Sequence, residues 1–325
     1  MNFFKDKTIL VTGGTGSFGQ GYVEFLLKNS EARKVIVFSR DEFKQFHMEK
    51  NFSQKGLSNN IRFFLGDIRD KERLNRAFKD VNIVIHAAAL KQVPALEYNP
   101  HEAIKTNIIG SQNIIEATIN QNVDKVLLIS TDKAAQPVNL YGATKLCAEK
   151  TFSAANHYSG ETSFASVRYG NVIGSRGSIV EHLKINNPEK VMITHPNMTR
   201  FWITLEQSFN LVNFALENMI GGEIFIPKIP SMKLIDLVST ISPNANQEIT
   251  GIRPGEKMHE VLLSEEESRR AFELKDYFVI IPEMNFTNRS FKKYENLGSK
   301  LPDKFSFTSN TNSKWLTKKD LIKII

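Results

Sequence analysis

The residues between 125 and 150 combine side-chain types and spacings that suit proton-transfer chemistry. Tyr141 and Lys145 lie four positions apart in a helical pattern, so both side chains are on one face of the helix. An ammonium group beside a phenol favours the phenolate, which makes Tyr141 a candidate base near neutral pH. A tyrosine and a lysine at this spacing can also belong to an ordinary solvated helix face, so the pair alone does not decide.

A polar turn before this helix adds further groups that can exchange protons. An apolar strand over 126–130 ends in Thr131, Asp132 and Lys133, and the helical pattern begins beyond Pro137. The alternative for Lys133 is a solvated lysine in a turn. The combination of this strand end with the Tyr/Lys helix favours a catalytic site.

A glycine-rich turn near the start of the chain predicts a dinucleotide site. The apolar strand 8–12 runs into Gly13, Gly16 and Gly19, and an amphipathic run to residue 28 follows. The first glycine suits a tight turn, the second a close approach to a pyrophosphate, and the third close packing of helix on strand. The N–H groups at the helix start would face the phosphates. A purely structural turn is the alternative, but the GxxGxxG spacing favours the short-chain dehydrogenase/reductase superfamily.

The end of the second strand, 34–38, bears on the choice of cofactor. In a dinucleotide fold this position reaches the adenosine ribose, where an acid selects a 2′-hydroxyl and an arginine accommodates a 2′-phosphate. Ser39 and Arg40 come first, which favours NADP. Asp41 is expected to begin the next helix. If Asp41 faces the ribose instead, NAD would be the cofactor.

Two further strand ends carry candidate binding groups. Asp67 follows strand 61–65 and can accept a hydrogen bond from the adenine amine, or it caps the next helix. Strand 82–86 opens into small residues beginning at Ala87, against which a cofactor can lie. Lys91, just beyond, can reach a phosphate or a sugar hydroxyl.

The order of these elements predicts a doubly wound parallel (Rossmann) α/β sheet. A long helix is expected over 100–122, with Asn107 as a buried structural hydrogen-bonding residue, and His86 is expected to be packed in the core. We predict an NADP-binding Rossmann domain over 1–172 plus about 203–228. A smaller substrate-binding lobe would take 173–202 and 229–325.

Three polar segments outside the predicted sheet could contact a substrate. The glycine-rich loop 170–178, after strand 163–169, is either a substrate-facing lining or a plain crossover loop. The clusters 198–202 and 253–257 each contain an arginine, whose fork suits phosphate oxygens. Either cluster can also be a surface turn.

Composition restricts the class of protein. The 325 residues are 41% hydrophobic and 24% charged, as in ordinary soluble globular proteins. No apolar run approaches the roughly 20 residues that span a bilayer, and no secretory signal is seen, so we expect a cytoplasmic protein with no membrane partner. The net charge of +7 is concentrated in 288–325, without a pattern typical of nucleic-acid binding. No metal site is predicted, and the single Cys147 is expected to be a small packing residue.

The motifs taken together closely resemble those of the inverting UDP-N-acetylglucosamine 4,6-dehydratases, which are extended short-chain dehydrogenases. The short soluble members of this family start pseudaminic acid biosynthesis. The resemblance runs from about residue 5 to residue 282. The motifs that carry it are TGGTGSFG, FSRDE, GDIRD, HAAALKQVPALEYNP, KTNIIGSQNII, STDKAAQPVNLYGATKLCAEK, RYGNVIGSRGS, MTRFWIT, GGEIFIPKIPSMK and GIRPGEKMHEVL.

The resemblance implies a lyase that uses tightly held NADP and regenerates it. Tyr141 would take the C4 hydroxyl proton, with Lys145 lowering the tyrosine pKa and Thr131 bonding the C4 oxygen. Lys133 would then remove the C5 proton, and Asp132 would protonate the departing C6 hydroxyl. The product would be UDP-2-acetamido-2,6-dideoxy-β-L-arabino-hexos-4-ulose, inverted at C5.

The resemblance also implies two sets of binding residues. The cofactor would contact Gly13, Thr15, Gly16, Ser17, Phe18, Gly19, Ser39, Arg40, Asp67, Ile68, Ala87, Lys91, Thr106, Tyr141, Lys145 and Val172. The substrate would contact Lys91, Asn171, Arg253 and Glu256. The segment 178–194 is shorter than is typical of the family, and Glu181 replaces a proline there. The family's uridine contacts are therefore the part of the resemblance that transfers least directly to this chain. A homo-oligomer is implied by the family only.

Two other functions fit the same framework. UDP-sugar 4-epimerases share it but lack an acid/base pair at the positions of Asp132 and Lys133, because they only oxidise and re-reduce C4. A non-catalytic NADP-sensing regulator is the other alternative. Such regulators usually lose the Tyr/Lys pair, which is present here.

Overall fold

A large twisted sheet forms the centre of the protein. The structure is a computed structural model that describes residues 2–284 and 289–325. In chain order its strands are β1 Thr8–Thr12, β2 Lys34–Ser39, β3 Ile61–Leu65, β4 Ile83–His86, β5 Lys125–Ile129, β6 Ser163–Val167, β7 Asn171–Val172, β8 Lys190–Ile193, β9 Thr199–Ile203, β10 Ile224–Pro227, β11 Ser231–Lys233, β12 Asn246–Ile249, β13 Val261–Leu263, β14 Ala271–Leu274, β15 Tyr277–Ile280, β16 Gly298–Lys300 and β17 Phe307–Thr308.

In the first half of the chain helices and strands alternate, and in the described residues these strands are accompanied by thirteen α-helices. They are α1 Ser17–Asn29, α2 Glu42–Gln54, α3 Lys71–Ala77, α4 Val93–Tyr98, α5 Pro100–Ala103, α6 Gly110–Asn120, α7 Leu140–Ala155, α8 Ile179–Asn186, α9 Leu205–Asn218, α10 Leu234–Ile241, α11 Glu265–Ser268, α12 Lys292–Leu297 and α13 Lys318–Ile324. Within the described ranges, none of them combines the length and the apolar composition needed to cross a bilayer.

The central sheet confirms the predicted doubly wound architecture. Among the described residues it has ten strands, in the order β16-β14-β15-β10-β6-β5-β4-β1-β2-β3. The strands from β10 to β3 pair in parallel, and the order reverses between β1 and β4. In such sheets ligands bind in the crevice outside the carboxyl ends of the strands at this reversal.

The sheet forms because its strands are apolar on both faces. Successive residues of a strand point to opposite sides, so Ile9 and Val11 pack in one core cluster and Leu10 in another. The first cluster includes α1 and α9, and the second includes α3, α6 and α7. A third cluster, around Trp202 and the helices α8, α10 and α13, lies outside the sheet.

The structure differs from the predicted domain division in one respect. The strands β14, β15 and β16 belong to the segment 229–325 that was predicted for the lobe, but they extend the central sheet beyond β10. β15 pairs antiparallel with β10, and Phe278 and Val279 join the core there. This arrangement covers a sheet edge that would otherwise have unpaired backbone groups. The division into two domains stays a prediction.

The predicted helix over 100–122 is interrupted. Between α5 and α6 the residues Ile104–Ile109 form a π-helix that carries Thr106 and Asn107. As predicted, Asn107 is a buried structural residue, and its side chain bonds the N–H and the carbonyl of Leu90 at 2.8 and 2.9 Å. The π-helical segment therefore anchors the loop after β4.

Two other single-residue predictions have opposite outcomes. His86 is packed in the core, as predicted, with hydrogen bonds to Thr12 at 2.8 Å and to Ser111 at 3.1 Å. Burial lowers its pKa to about 3, so its ring is neutral. Cys147 is not a packing residue, because it lies on the exposed side of α7.

A buried ion-pair network ties the sheet to α7 and to the C-terminal part of the chain. Arg168, just after β6, is fully buried and donates to both carboxylate oxygens of Glu149 on α7, at 3.1 and 2.6 Å. It also donates to both oxygens of Glu267 on α11, each at 3.0 Å. Although burial raises the pKa of Glu267, the guanidinium holds it below its ordinary value. Arg168 therefore joins acidic side chains of two different helices to the end of β6.

We predict that Arg168→Leu lowers the free energy of unfolding by about 3–5 kcal/mol, because it leaves the Glu149 carboxylate buried without its partner. Urea unfolding followed by circular dichroism measures the change. The control is Arg269→Leu, at an exposed arginine of the same part of the chain. Equal unfolding midpoints for the two variants would contradict the prediction.

Candidate active site

The predicted site residues converge on a cleft at the carboxyl ends of the strands. A cavity of about 680 Å³ runs along the glycine turn and the start of α7. A second cavity, of about 280 Å³, lies beside the ends of β2 and β3, and Gly13, Thr15 and Gly16 line both. The glycine turn thus separates a larger chamber from a smaller one.

Most of the predicted residues line one chamber or the other. Those in the larger chamber are Gly13, Thr15, Gly16, Ser17, Phe18, Gly19, Ala87, Lys91, Thr131, Lys133, Tyr141, Lys145, Asn171 and Val172. Those in the smaller chamber are Gly13, Thr15, Gly16, Ser39, Arg40, Asp67, Ile68, Ala87 and Thr106.

Three predicted residues are not part of these walls. Asp132 is fully buried behind Lys133. Arg253 is exposed and lines a third cavity, of about 610 Å³, which shares Gly177, Ser178 and Ile179 with the larger chamber. Glu256 lines none of the three cavities; its carboxylate lies 3.5 Å from Arg200.

The glycine turn has the geometry of a phosphate cradle. Gly13 has a φ of +65°, and a Cβ there would lie 2.8 Å from the Cα of Ala88. A Cβ on Gly19 would lie 2.5 Å from the carbonyl oxygen of Gly13. α1 begins after Gly16 with no side chain capping its first N–H groups, so these donors remain for a ligand.

The smaller chamber has the Arg40 side chain at its wall, near the end of β2, where a ribose 2′-substituent is expected. As predicted, Asp41 caps α2, accepting from the Lys44 N–H at 3.0 Å and pairing with its ammonium at 2.8 Å. Arg40 lies 3.9 Å from Asp67. Asp70, not Asp67, caps α3, which excludes the capping role for Asp67.

Two polar groups at the walls are available to a ligand. The hydroxyl of Thr106 is buried and has no hydrogen-bond partner among the described residues. The ammonium of Lys145 is almost fully buried, and no hydrogen bond or ion pair of this group is found in the described part of the chain. Unpartnered buried polar groups are costly, so these residues fit a bound dinucleotide with its own hydroxyls and amide.

Tyr141 and Lys145 share a face of α7, as their spacing predicts, and Asn139 caps this helix by accepting from the Gly142 N–H at 2.8 Å. Burial lowers the pKa of Lys145 to about 8, and the nearby charge of Glu149 partly opposes this shift. Lys145 therefore changes charge close to neutral pH.

The pKa of Tyr141 is raised in the structure, whereas a lowering was expected. Burial raises it to about 12, and the groups that act in the opposite direction are Lys133 and a hydrogen bond with Thr131. The cation that favours the phenolate in this structure is therefore Lys133 of the turn, rather than Lys145.

The turn after β5 holds an acid and an amine in direct contact. The Lys133 ammonium lies 3.0 Å from one oxygen of Asp132, and the Thr131 hydroxyl donates to the same oxygen at 2.9 Å. The other oxygen of Asp132 is buried with no hydrogen-bond partner among the described residues. Although burial lowers the pKa of Lys133, the carboxylates of Asp132 and Glu260 hold it above its ordinary value.

The turn and α7 are in contact through their backbones. Gly142 follows Tyr141, and a Cβ there would overlap the carbonyl oxygen of Lys133. Any other residue at this position would push the turn away from the helix. The glycine therefore sets the separation between the phenol and the Asp132–Lys133 pair.

The loop 170–178 lines the larger chamber, as expected of a lining, and contacts the glycine turn. The Arg176 backbone N–H donates to the Ser17 hydroxyl at 2.9 Å, and its guanidinium donates to the Thr15 carbonyl. Lys91 in turn donates to the Arg176 carbonyl at 3.3 Å. Arg176 was not predicted, because its partners are far from it in the sequence.

The sequence also did not predict Glu260 as a site residue or the buried position of Arg200. Arg200 was predicted to bind phosphate or to lie in a surface turn, but it is buried, 3.5 Å from Glu256 and 3.6 Å from Glu260. Glu260 contacts Lys133 at 3.5 Å. The one sequence signal for it is a glutamate directly before the apolar run 261–263.

Comparison with known proteins identifies relatives over the whole chain. Residues 9–282 match the family described as polysaccharide biosynthesis protein. The chain is 48% identical over 331 residues to a UDP-N-acetylglucosamine 4,6-dehydratase (inverting) of Campylobacter jejuni, covering 99% of this chain and 98% of that protein. It is 38% identical over 333 residues to a protein of Rickettsia rickettsii named UDP-glucose 4-epimerase, covering 99% and 96%.

Solved structures with the same fold include one close match. The structure of Pen from Bacillus thuringiensis superposes with a TM-score of 0.87 at 39% identity and covers 99% of this chain and 98% of that one. DesIV, a dTDP-glucose 4,6-dehydratase from Streptomyces venezuelae with NAD and TYD bound, superposes with a TM-score of 0.68 at 20% identity, covering 77% and 86%. At that identity the second match shows the fold alone.

We predict that Gly19→Ala weakens dinucleotide binding at least about tenfold, because the added methyl group forces α1 away from the phosphate cradle. Calorimetric titration of the purified protein, freed of nucleotide, with NADPH and NADH gives the dissociation constants. Gln20→Ala, one position further along α1, is the matched control. Unchanged binding by Gly19→Ala would rule out this turn as the phosphate site.

Proposed function

Because the chain belongs to the polysaccharide biosynthesis protein family and, within it, to the inverting UDP-N-acetylglucosamine 4,6-dehydratases, we propose that it removes water from UDP-N-acetylglucosamine with inversion at C5. The observation that carries the proposal is the Asp132–Lys133 pair, 3.0 Å apart, at the wall of the cleft beside Tyr141. The product would be UDP-2-acetamido-2,6-dideoxy-β-L-arabino-hexos-4-ulose.

Tyr141 would accept the proton of the C4 hydroxyl, and its hydrogen bond with Thr131 would orient it. A bound nicotinamide dinucleotide would supply the site that accepts a hydride from C4 and returns it at C6. Phenolate formation is favoured by the Lys133 charge, which already opposes the effect of burial on the Tyr141 pKa. Lys145, with a pKa near 8, would contribute a second positive charge at the same wall below that pH.

The elimination needs a neutral amine and a protonated carboxyl group. Transfer of one proton from the Lys133 ammonium to Asp132 across their 3.0 Å contact would provide both groups. Lys133 would then accept the C5 proton while Asp132 gives its proton to the departing C6 hydroxyl as water. These two transfers return the pair to ammonium and carboxylate. Return of the hydride to C6 leaves C5 to be reprotonated, on the opposite face for inversion, by a proton that exchanges with solvent. Tyr141 releases the C4 proton to solvent, so the cycle consumes no net proton.

A 4-epimerase is the second candidate, favoured by relatives of that name at 37–38% identity. Such a reaction needs oxidation and re-reduction at C4 only, for which Tyr141 suffices. It gives no role to a buried acid that contacts a lysine at the cleft wall. The dehydratase proposal accounts for both residues, and the regulator has no comparable observation in its favour.

The nucleotide-binding chamber supports NADP as the cofactor. Arg40 and Asp41 both line it, but the Asp41 carboxylate is engaged with Lys44 as the cap of α2. A guanidinium suits a 2′-phosphate, and a carboxylate facing the ribose would oppose it. Use of the product in pseudaminic acid biosynthesis belongs to the same proposal and rests on the motif resemblance. Homo-oligomer formation and a cytoplasmic location stay predictions.

We predict that the purified protein converts UDP-N-acetylglucosamine in deuterated water to a 6-deoxy-4-keto sugar nucleotide with deuterium at C5 and inverted configuration there. Proton NMR of early time points follows the reaction, before slow exchange of the free product. Lys133→Met should abolish deuterium incorporation, whereas Lys150→Met, at an exposed lysine of α7, should not. Epimerisation at C4 alone, or no reaction with or without added NADP, would exclude the dehydratase.

We predict that Arg40→Ser weakens NADPH binding by roughly tenfold to a hundredfold, because a charged hydrogen-bonding partner of the 2′-phosphate is lost. NADH binding should change less than about twofold, since NADH has no such phosphate. Calorimetric titration measures both constants, with Arg76→Ser as an exposed control on α3. An equal loss for both nucleotides would argue against selection of NADP by this residue.

A further inference from the structure

The Lys133 ammonium is held by two carboxylates, and only one of them comes from its own turn. Glu260 lies directly before β13 and places a carboxylate oxygen 3.5 Å from the Lys133 nitrogen. Asp132 is at 3.0 Å. Glu260 is almost fully buried, so this contact is made away from bulk water.

The backbone at Glu260 is fixed independently of Lys133. Its N–H donates to the Ser309 hydroxyl at 2.9 Å, and its carbonyl accepts from the Ser309 N–H at 2.9 Å. The Ser309 hydroxyl also contacts that of Thr199 at 2.7 Å. The carboxylate therefore projects from a rigid support toward the turn after β5.

The charge of Glu260 is balanced by cations from other elements. The Arg200 side chain lies 3.6 Å from the carboxylate oxygen that faces Lys133, and the Lys257 ammonium lies 4.0 Å from the other oxygen. Arg200 is itself held by the carbonyl of Thr199 at 2.8 Å. Three cations, Lys133, Arg200 and Lys257, thus surround the one carboxylate, which offsets the cost of burying it.

We propose that Glu260 is a positioning residue that holds the Lys133 amine beside Asp132 and directed at the cleft, so that the amine can remove the C5 proton. The inference rests on the proposed dehydratase function and adds a residue to it. Lysine has a flexible side chain with many rotamers, and a second anionic contact restricts where its nitrogen lies. Such restriction matters because proton transfer requires hydrogen-bond reach.

Glu260 also affects the pH at which Lys133 can act. The carboxylates of Asp132 and Glu260 raise the pKa of Lys133, and Arg200 acts in the opposite direction. Lys257 and the phenol of Tyr141 are the other titratable groups that interact with its charge. Loss of the Glu260 charge would destabilise the ammonium and lower the pKa of Lys133. A step that needs the neutral amine would then reach its plateau at lower pH, even where its maximal rate is reduced.

The test compares Glu260→Gln and Glu260→Asp with Glu266→Gln, an exposed glutamate on α11 that serves as the control. Each full-length protein is mixed with UDP-N-acetylglucosamine in a single turnover. Oxidation at C4 is followed by the ultraviolet absorbance of the reduced cofactor, and removal of the C5 proton by deuterium incorporation and dehydrated product. Both rates are measured across pH.

We expect Glu260→Gln to slow C5 proton removal at least about tenfold while C4 oxidation changes less than about twofold. The pH at half-maximal rate of C5 removal should fall. Glu260→Asp keeps the charge, so it should retain the wild-type pH dependence with a lower rate. An equal loss in both steps, or no loss, would overturn the proposal.

A second measurement does not depend on turnover. Labelling of Lys133 by acetic anhydride, mapped by peptide mass spectrometry across pH, reports its pKa in each protein. We expect a lower pKa in Glu260→Gln than in the wild type and in Glu266→Gln, and an unchanged value would overturn the proposal. A wild-type protein that neither oxidises nor dehydrates the substrate would refute the proposed function itself, and the role of Glu260 in it.

Discussion

The contact between Asp132 and Lys133 is the interaction on which the rest of the site depends. Two opposite charges are kept at the end of a buried strand, where isolated charges would be strongly destabilising. Thr131 bonds the acid, and Glu260, backed by Arg200, contacts the amine. Each partner comes from a different part of the chain, so a single ion pair unites the carboxyl end of β5 with segments near β9 and β13.

Helix α7 connects the cleft to the ion-pair network of Arg168. Tyr141, Lys145 and Glu149 are spaced by four residues and lie along one stripe of the helix. The first two line the cleft, and the third is buried in the ion-pair network of Arg168. The Ser130 hydroxyl, at the end of β5, donates to Glu149 at 2.5 Å. The network that stabilises the fold thus also fixes the helix that carries the candidate base.

The sequence was informative where structure is local. Apolar strands ending in glycine or polar turns predicted the parallel sheet, and the glycine spacing predicted the cradle that Gly13 and Gly19 form. Contacts between distant segments left no such pattern: nothing near Glu260 or Arg176 indicates which residues they meet. The hairpin β14–β15 was assigned to the lobe for the same reason. The pKa of Tyr141 depends on burial, which the YxxxK spacing does not encode.

The contact of Gly142 with the carbonyl of Lys133 has a consequence for how this scaffold can diversify. Because the turn meets the helix through a backbone atom, the side chains at 132 and 133 can be exchanged without altering that contact. A new pair of side chains at 132 and 133 would then leave the position of the Tyr141 phenol unchanged. The scaffold therefore fixes the place of the phenol through a backbone contact, whereas the acid, the amine and the charge that acts on the phenol depend on the two side chains at 132 and 133.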